Sequence, residues 1–142
     1  MSLTRRRNED GQVTAFVVVF AIALIALAGL VLDGGNALAA KRRALNEAQA
    51  AARAGAQALD QPTYRSTGTY QLDPQKASTL AMDYLKQTGH DTGATVNVTG
   101  TEVDVSVQWD QPMQVLGVVG ITSMHISGSG SARSARGVVV EE

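Results

Sequence analysis

The sequence predicts an α+β fold. A long N-terminal helix, half of it transmembrane and half alanine-rich and outside the membrane, leads into a small module of one helix on an antiparallel sheet of about three strands. Three observations carry this expectation. Val13 to Leu32 is a run of twenty residues without a charge. Asn36 to Asp60, "NALAAKRRALNEAQAAARAGAQALD", is dominated by alanine, the strongest helix former. Further on, Val96 and Val98, and then Val103, Val105, Val107 and Trp109, alternate with polar residues, which is the period of a half-buried strand.

The apolar run comes first. At about 1.5 Å per residue it reaches roughly 30 Å, the thickness of the bilayer hydrocarbon. It is apolar all round, whereas a helix lying on a soluble core keeps a polar stripe. Val13, Phe16, Phe20, Leu24, Leu27 and Leu32 are its expected lipid-facing anchors, and Thr14 and Gly29 are its few interruptions. A secretory signal is the rival reading. Its apolar region is shorter, about 7–15 residues, and ends at a small-x-small site such as Ala37-Leu38-Ala39. Cleavage near Ala39 would release a small secreted binding module or adhesin. The length of the run, and the Asp33-Gly34-Gly35-Asn36 spacer before that site, favour a retained anchor. Arg5, Arg6 and Arg7 precede the run, and Lys41, Arg42 and Arg43 follow it, so the basic residues near its ends tie. The second cluster stands more than two turns past Leu32, and the C-terminal portion has the polar, strand-rich character of an exported module. Residues 1–12 are therefore expected to be a basic cytoplasmic tail, with 13–32 crossing the cell membrane once.

Residues 33–60 form the second half of the helix. Ala40, Ala44, Ala48, Ala52 and Ala56 recur at i, i+4 and make one smooth ridge, while Leu38, Leu45 and Leu59 fall at multiples of seven, with Ala52 in the missing place. A small-residue ridge lets another backbone approach closely. Either a partner helix or the chain's own sheet satisfies it, and both remain open at this point. Lys41, Arg42, Arg43 and Glu47 are expected in water. Glycine costs about 1 kcal/mol in a helix interior, so Asp33, Gly34 and Gly35 are the expected hinge, an interruption at the lipid surface. Unbroken, the helix would be a rod of about 70 Å.

An arginine-rich start, "EDGQ", the apolar span and "LVLDGGNALAAKRRALNEAQAAARAGAQAL" together resemble the TadE/TadG-like proteins of tight-adherence (Flp-type) pilus systems. The resemblance covers about the first 60 residues. It rests on Asp33 and Gly34 at the end of the span, then on Ala48, Ala51, Ala52, Gly55 and Ala56 in an A-x-x-A-A-x-x-G-A pattern. Pilin-like members carry a glutamate five residues after the glycine at which they are processed. Here the fifth residue after Gly11 is Phe16, so the chain resembles the uncleaved, anchored TadG-like branch. The resemblance implies a pilin-like architecture and a structural subunit of a Tad-type pilus or its envelope assembly and secretion machinery. It also implies partners in the bilayer, other pilus subunits and membrane platform proteins, met by helix packing through Ala44, Ala48, Ala51, Ala52, Gly55 and Ala56.

The module spans 61–136, with 137–142 as a frayed tail. Gln61 to Leu72 reads as a loop. Asp73-Pro74 opens a helix whose apolar face is Ala77, Leu80, Ala81, Tyr84 and Leu85, and Gly89 stops it. Gly100 marks the hairpin turn between the first two strands. "PMQVLGVVGI", Pro112 to Ile121, is apolar and suits a short helix. Thr122, Met124, Ile126 and Gly128 suggest a third strand running through Ser131 or beyond.

Little in this chain asks for chemistry. It has 142 residues, net charge −1, 4% aromatics, one tryptophan and no cysteine. No field steers it to nucleic acid, and neither a disulfide framework nor a thiolate metal site exists. A module of roughly 80 residues without disulfides relies on a modest core or on a partner. His90 and His125 lack a third metal ligand at useful spacing and read as exposed histidines. "SGSGSARSAR" lacks the lysine–hydroxyl pair of a phosphate loop. No catalytic set, metal, cofactor or small-molecule substrate is expected, and the chain does not read as an enzyme.

Overall fold

The computed structural model describes residues 9–134. A single helix, α1, runs Glu9–Gly55. After it come α2 (Gln61–Thr67), α3 (Pro74–Thr88), the strands β1 (Thr95–Thr99) and β2 (Glu102–Pro112), a 3₁₀ turn Leu116–Val119, and β3 (Ser123–Arg133). The three strands form an antiparallel meander in the order β1-β2-β3. The α+β class, the long helix and the three-stranded sheet agree with the sequence expectation. The basic cluster Arg5–Arg7 and the tail 137–142 lie outside the described residues.

Alternation sets the faces of the sheet. Val103, Val105 and Val107 of β2 point inward and are buried. They stand opposite Ala132, Gly130 and Gly128 of β3, and Val105 and Val103 also stand opposite Val96 and Val98 of β1. Asp104, Ser106, Ser129 and Ser131 face solvent. Helices α1 and α3 cover the inward face, α1 chiefly over β3 and α3 beside β1. One core joins them: Ala44, Ala48, Ala51 and Ala52 from α1, Ala77, Ala81 and Leu85 from α3, and the three β2 valines.

Helix α3 begins and ends where its caps dictate. The Asp73 carboxylate accepts the N–H groups of Gln75 and Lys76 at 3.1 Å each, and Gly89 ends the helix in the left-handed conformation. The loop expected between Gln61 and Leu72 contains a helix instead. Asp60 caps α2, accepting the Thr63 N–H at 3.2 Å and the Thr63 hydroxyl at 2.6 Å, and Pro62 suits its first turn. The signal was present in Asp60-Gln61-Pro62, the same aspartate-then-proline logic that opens α3.

The interruption expected at Gly34–Gly35 is absent. Helix α1 passes through both glycines and ends at Gly55, short of Asp60. Contacts on both sides of the pair account for this. Gly29 and Asp33 before it, and Ala37 and Ala40 after it, are all buried. Tertiary packing of this kind outweighs intrinsic propensity. Nothing lies within 4 Å of where a Cβ on Gly34 or Gly35 would stand. The double variant Gly34→Ala/Gly35→Ala is therefore expected to stabilise the protein by about 1 kcal/mol per site, read as a raised midpoint of chemical unfolding in detergent. An unchanged or lowered midpoint would show that bending at the pair matters to the folded state.

Candidate functional site

Two constructions position the module on the helix, and both are made of small or singly placed residues. The first is the ridge. Ala44, Ala48, Ala51 and Ala52 have no exposed surface, Gly55 is buried and Ala56 is half-buried. Their neighbours belong to the same chain, so the chain's own module, of the two surfaces considered, occupies the ridge. The match is backbone to backbone. A Cβ on Gly128 would stand 2.4 Å from the carbonyl carbon of Ala44, and one on Gly130 would stand 2.5 Å from the amide nitrogen of Gln49. A Cβ on Gly55 would stand 2.9 Å from the carbonyl oxygen of Ala77 in α3. Polar bonds seal the edges: the Gln49 side-chain amide donates to the Ser131 carbonyl at 2.8 Å, and the Lys41 ammonium donates to the Ser127 carbonyl. In Ala48→Leu, three added carbons enter a space with no room, at a cost of about 1–3 kcal/mol or more. Unfolding of the module measures that loss, and membrane insertion of the apolar run is expected to be unchanged.

The second construction is a clasp. Asp33 is the one buried charged residue among those described, 1% exposed at the end of the apolar run. Its carboxylate accepts three backbone N–H groups from the β2–β3 connection: Gln114 and Val115 at 3.0 Å each, and Leu116 at 2.7 Å. The Leu116 N–H above all holds the carboxyl below its ordinary range, against the opposing pull of burial, and the Gln114 and Val115 N–H groups add to it. Four residues earlier, Gly29 leaves a notch that Val115 fills. A Cβ on Gly29 would fall 2.3 Å from Val115 Cγ1. Every other residue from 11 to 32 is exposed. Asp33 is thus a latch between helix and loop, a role its place beside two glycines did not suggest.

A third contact was also hidden in the sequence. Glu47, expected in water, lies 2.7 Å from His90 Nδ1, and both side chains are mostly covered. The His90 ring stacks on Trp109, with centroids 4.0 Å apart and planes 17° from parallel. The pair ties α1 to the end of α3 and to β2, so His90 is a structural contact rather than an exposed loop histidine. His125 fits its expectation better. It is exposed and faces Asp110 across the β2–β3 ladder at 3.1 Å. No group of three or more metal-ligating side chains occurs among the described residues.

The helix carries a long apolar half with its side chains outward, then a small-residue half docked on a sheet. Residues 11–58 match the family model described as "Putative Flp pilus-assembly TadE/G-like". That stretch is similar to this family. It is about a third of the chain, and it contains the notch at Gly29, the latch at Asp33 and the whole ridge. No curated protein and no solved structure matches the chain. By length and composition, α1 is long and apolar enough to cross a membrane.

Proposed function

We propose that the chain is a single-pass, membrane-anchored structural subunit of a Tad/Flp-type pilus or of its envelope assembly machinery, of the uncleaved TadG-like kind. Its N-terminus is cytoplasmic and its module extracytoplasmic. The observation that carries this reading is one helix with two environments. From Val13 to Leu32 its large side chains, Phe16, Phe20, Leu24 and Leu27 among them, are exposed. From Ala37 onward it is the spine of a folded module. Lipid is the solvent that suits the first half, since so long a run of exposed apolar side chains in water would associate.

Partner contact falls to a different surface from the alanine ridge, which the chain's own sheet covers. Leu38 and Leu45, seven residues apart and exposed at 53% and 41%, lie on the open side of the same helix. That face, continuous with the apolar run, is where neighbouring pilus subunits or platform proteins pack. The role is mechanical and non-enzymatic, needs no cofactor, and rests on positioning a module a fixed distance from the membrane.

Release by cleavage near Ala39 finds no favouring observation. It would remove Gly29, Asp33 and Ala37, all of which the module packs against or bonds to. Carbonate washing of cell envelopes, with N-terminal sequencing of the retained protein, tests the reading. A full-length chain in the pellet, its module digested by protease from the extracytoplasmic side only, supports it. A soluble species beginning at Ala40 overturns it.

A further inference from the structure

We propose that the β2–β3 connection, Val115 to Ile121, is a second lipid contact. In this reading Val118, Val119 and Ile121 enter the bilayer interface beside the end of the α1 span. The proposal rests on α1 being in the membrane, as argued above.

Four observations lead to it. The segment reads "VLGVVGI", without a polar side chain. Its tip is among the most exposed apolar surface of the module: Val118 is 88% exposed, Val119 71% and Ile121 50%. A small module does not leave such a cluster bare without a use for it. The segment is also fixed in depth. Val115 seats in the Gly29 notch, three residues inside the apolar run, or about 4.5 Å below its end along the axis. Asp33 holds the next turn just above it. A loop held there lies level with the last turn of the span, where Leu30 and Leu32 are exposed as well.

The backbone is prepared for a place with little water. Irregular chain at a lipid boundary must satisfy its own N–H groups. Those of Gln114, Val115 and Leu116 go to Asp33. Those of Val118, Gly120 and Ile121 go to the carbonyls of Val115, Gly117 and Leu116. Gly120, at φ +97°, allows the tight return. Gln114 and Thr122, both polar, flank the segment where it rises back toward water.

The chain has no cysteine, so single cysteines report single places. The test is spin labelling of Val118→Cys and Val119→Cys, with Ile25→Cys and Thr69→Cys as references. The full chain is reconstituted in vesicles of phosphatidylcholine and phosphatidylglycerol at high lipid excess. The readout is collision with oxygen against collision with a water-soluble nickel chelate. Labels at 118 and 119 are expected to shift from the Thr69 value toward the Ile25 value. If 118 and 119 match Thr69 while Ile25 reads as lipid, the loop proposal fails and the anchor stands. If 118 and 119 are shielded from both collision partners, protein rather than lipid covers the loop, and the proposal also fails. An Ile25 label in water removes the anchor itself, and the loop proposal with it.

Discussion

Gly128→Val is expected to unfold the module. The inserted Cβ would stand 2.4 Å from the Ala44 carbonyl carbon and 2.6 Å from the Leu45 nitrogen. These are backbone atoms of a helix, which cannot rotate aside as a side chain can. Either α1 lifts off β3 or the strand shifts out of register with β2, and both expose the valine core. Overpacking costs about 1–3 kcal/mol when side chains can adjust, and more where they cannot. A loss of at least about 3 kcal/mol is expected here, a large share of the roughly 5–15 kcal/mol that holds a domain together. Gly130→Val meets the Gln49 backbone and is expected to behave alike. Ser129→Val, between them in sequence but on the outer face, is the control and should change stability by no more than about 0.5 kcal/mol. Urea unfolding of the detergent-solubilised chain measures all three. Equal midpoints for Gly128→Val and Ser129→Val would mean that the helix does not lie on β3 as described.

Asp33→Ala is expected to free the β2–β3 connection without unfolding the sheet. Three N–H groups lose their acceptor at once, and hydrogen bonds to a charged group are the stronger kind. Amide exchange at Gln114, Val115 and Leu116 should accelerate by on the order of tenfold or more, while exchange in the β1–β2 hairpin stays slow. Asp33→Asn separates charge from shape, since one carbonyl oxygen remains but the second acceptor and the charge are lost. Its exchange rates should fall between the wild type and Asp33→Ala. The same latch gives a pH dependence. The folded-state pKa is below the ordinary 3.8, because ordered N–H groups favour the carboxylate. The unfolded chain therefore takes up its proton first as pH falls. The stabilisation is fully present above about 3.8 and is lost as pH drops through the lowered folded value. Asp60, held low by the Thr63 hydroxyl and then by its N–H, adds a contribution of the same sign. Asp33→Asn should flatten its part of the acid limb. An unaltered acid transition in that variant would remove the latch from the explanation.

Much of this fold was legible because it follows local chemistry. The uncharged run, the alanine repeat, the Asp73-Pro74 cap and the valine alternation each specify an element without reference to anything distant. Other features depend on pairs of residues far apart in the chain. Asp33 meets residues 81 to 83 positions later, and nothing local marks it as an acceptor of loop N–H groups. Gly34 and Gly35 signal a break by propensity, yet the helix runs on through them, with buried contacts on either side. The serine–glycine alternation at Ser127 to Ser131 carried a readable clue. Its glycines fall on the inward positions of β3, opposite the valines of β2, and so face the alanine ridge. The strand itself was legible through Ser131, but what its inward glycines meet is set by Ala44 to Gln49, about 80 positions earlier in the chain. Glu47 and His90 are separated by 43 positions, and their pairing has no local signature.

Amide hydrogen exchange along α1, recorded with the full chain in lipid bilayers, bears most directly on the claim that one unbroken helix carries the module straight off the membrane. Protection is expected to continue without a gap from the apolar run through Asp33, Gly34 and Gly35 to Ala52. A window of fast exchange at residues 33–36, between two protected blocks, would instead mean an anchor and a module that move as separate bodies.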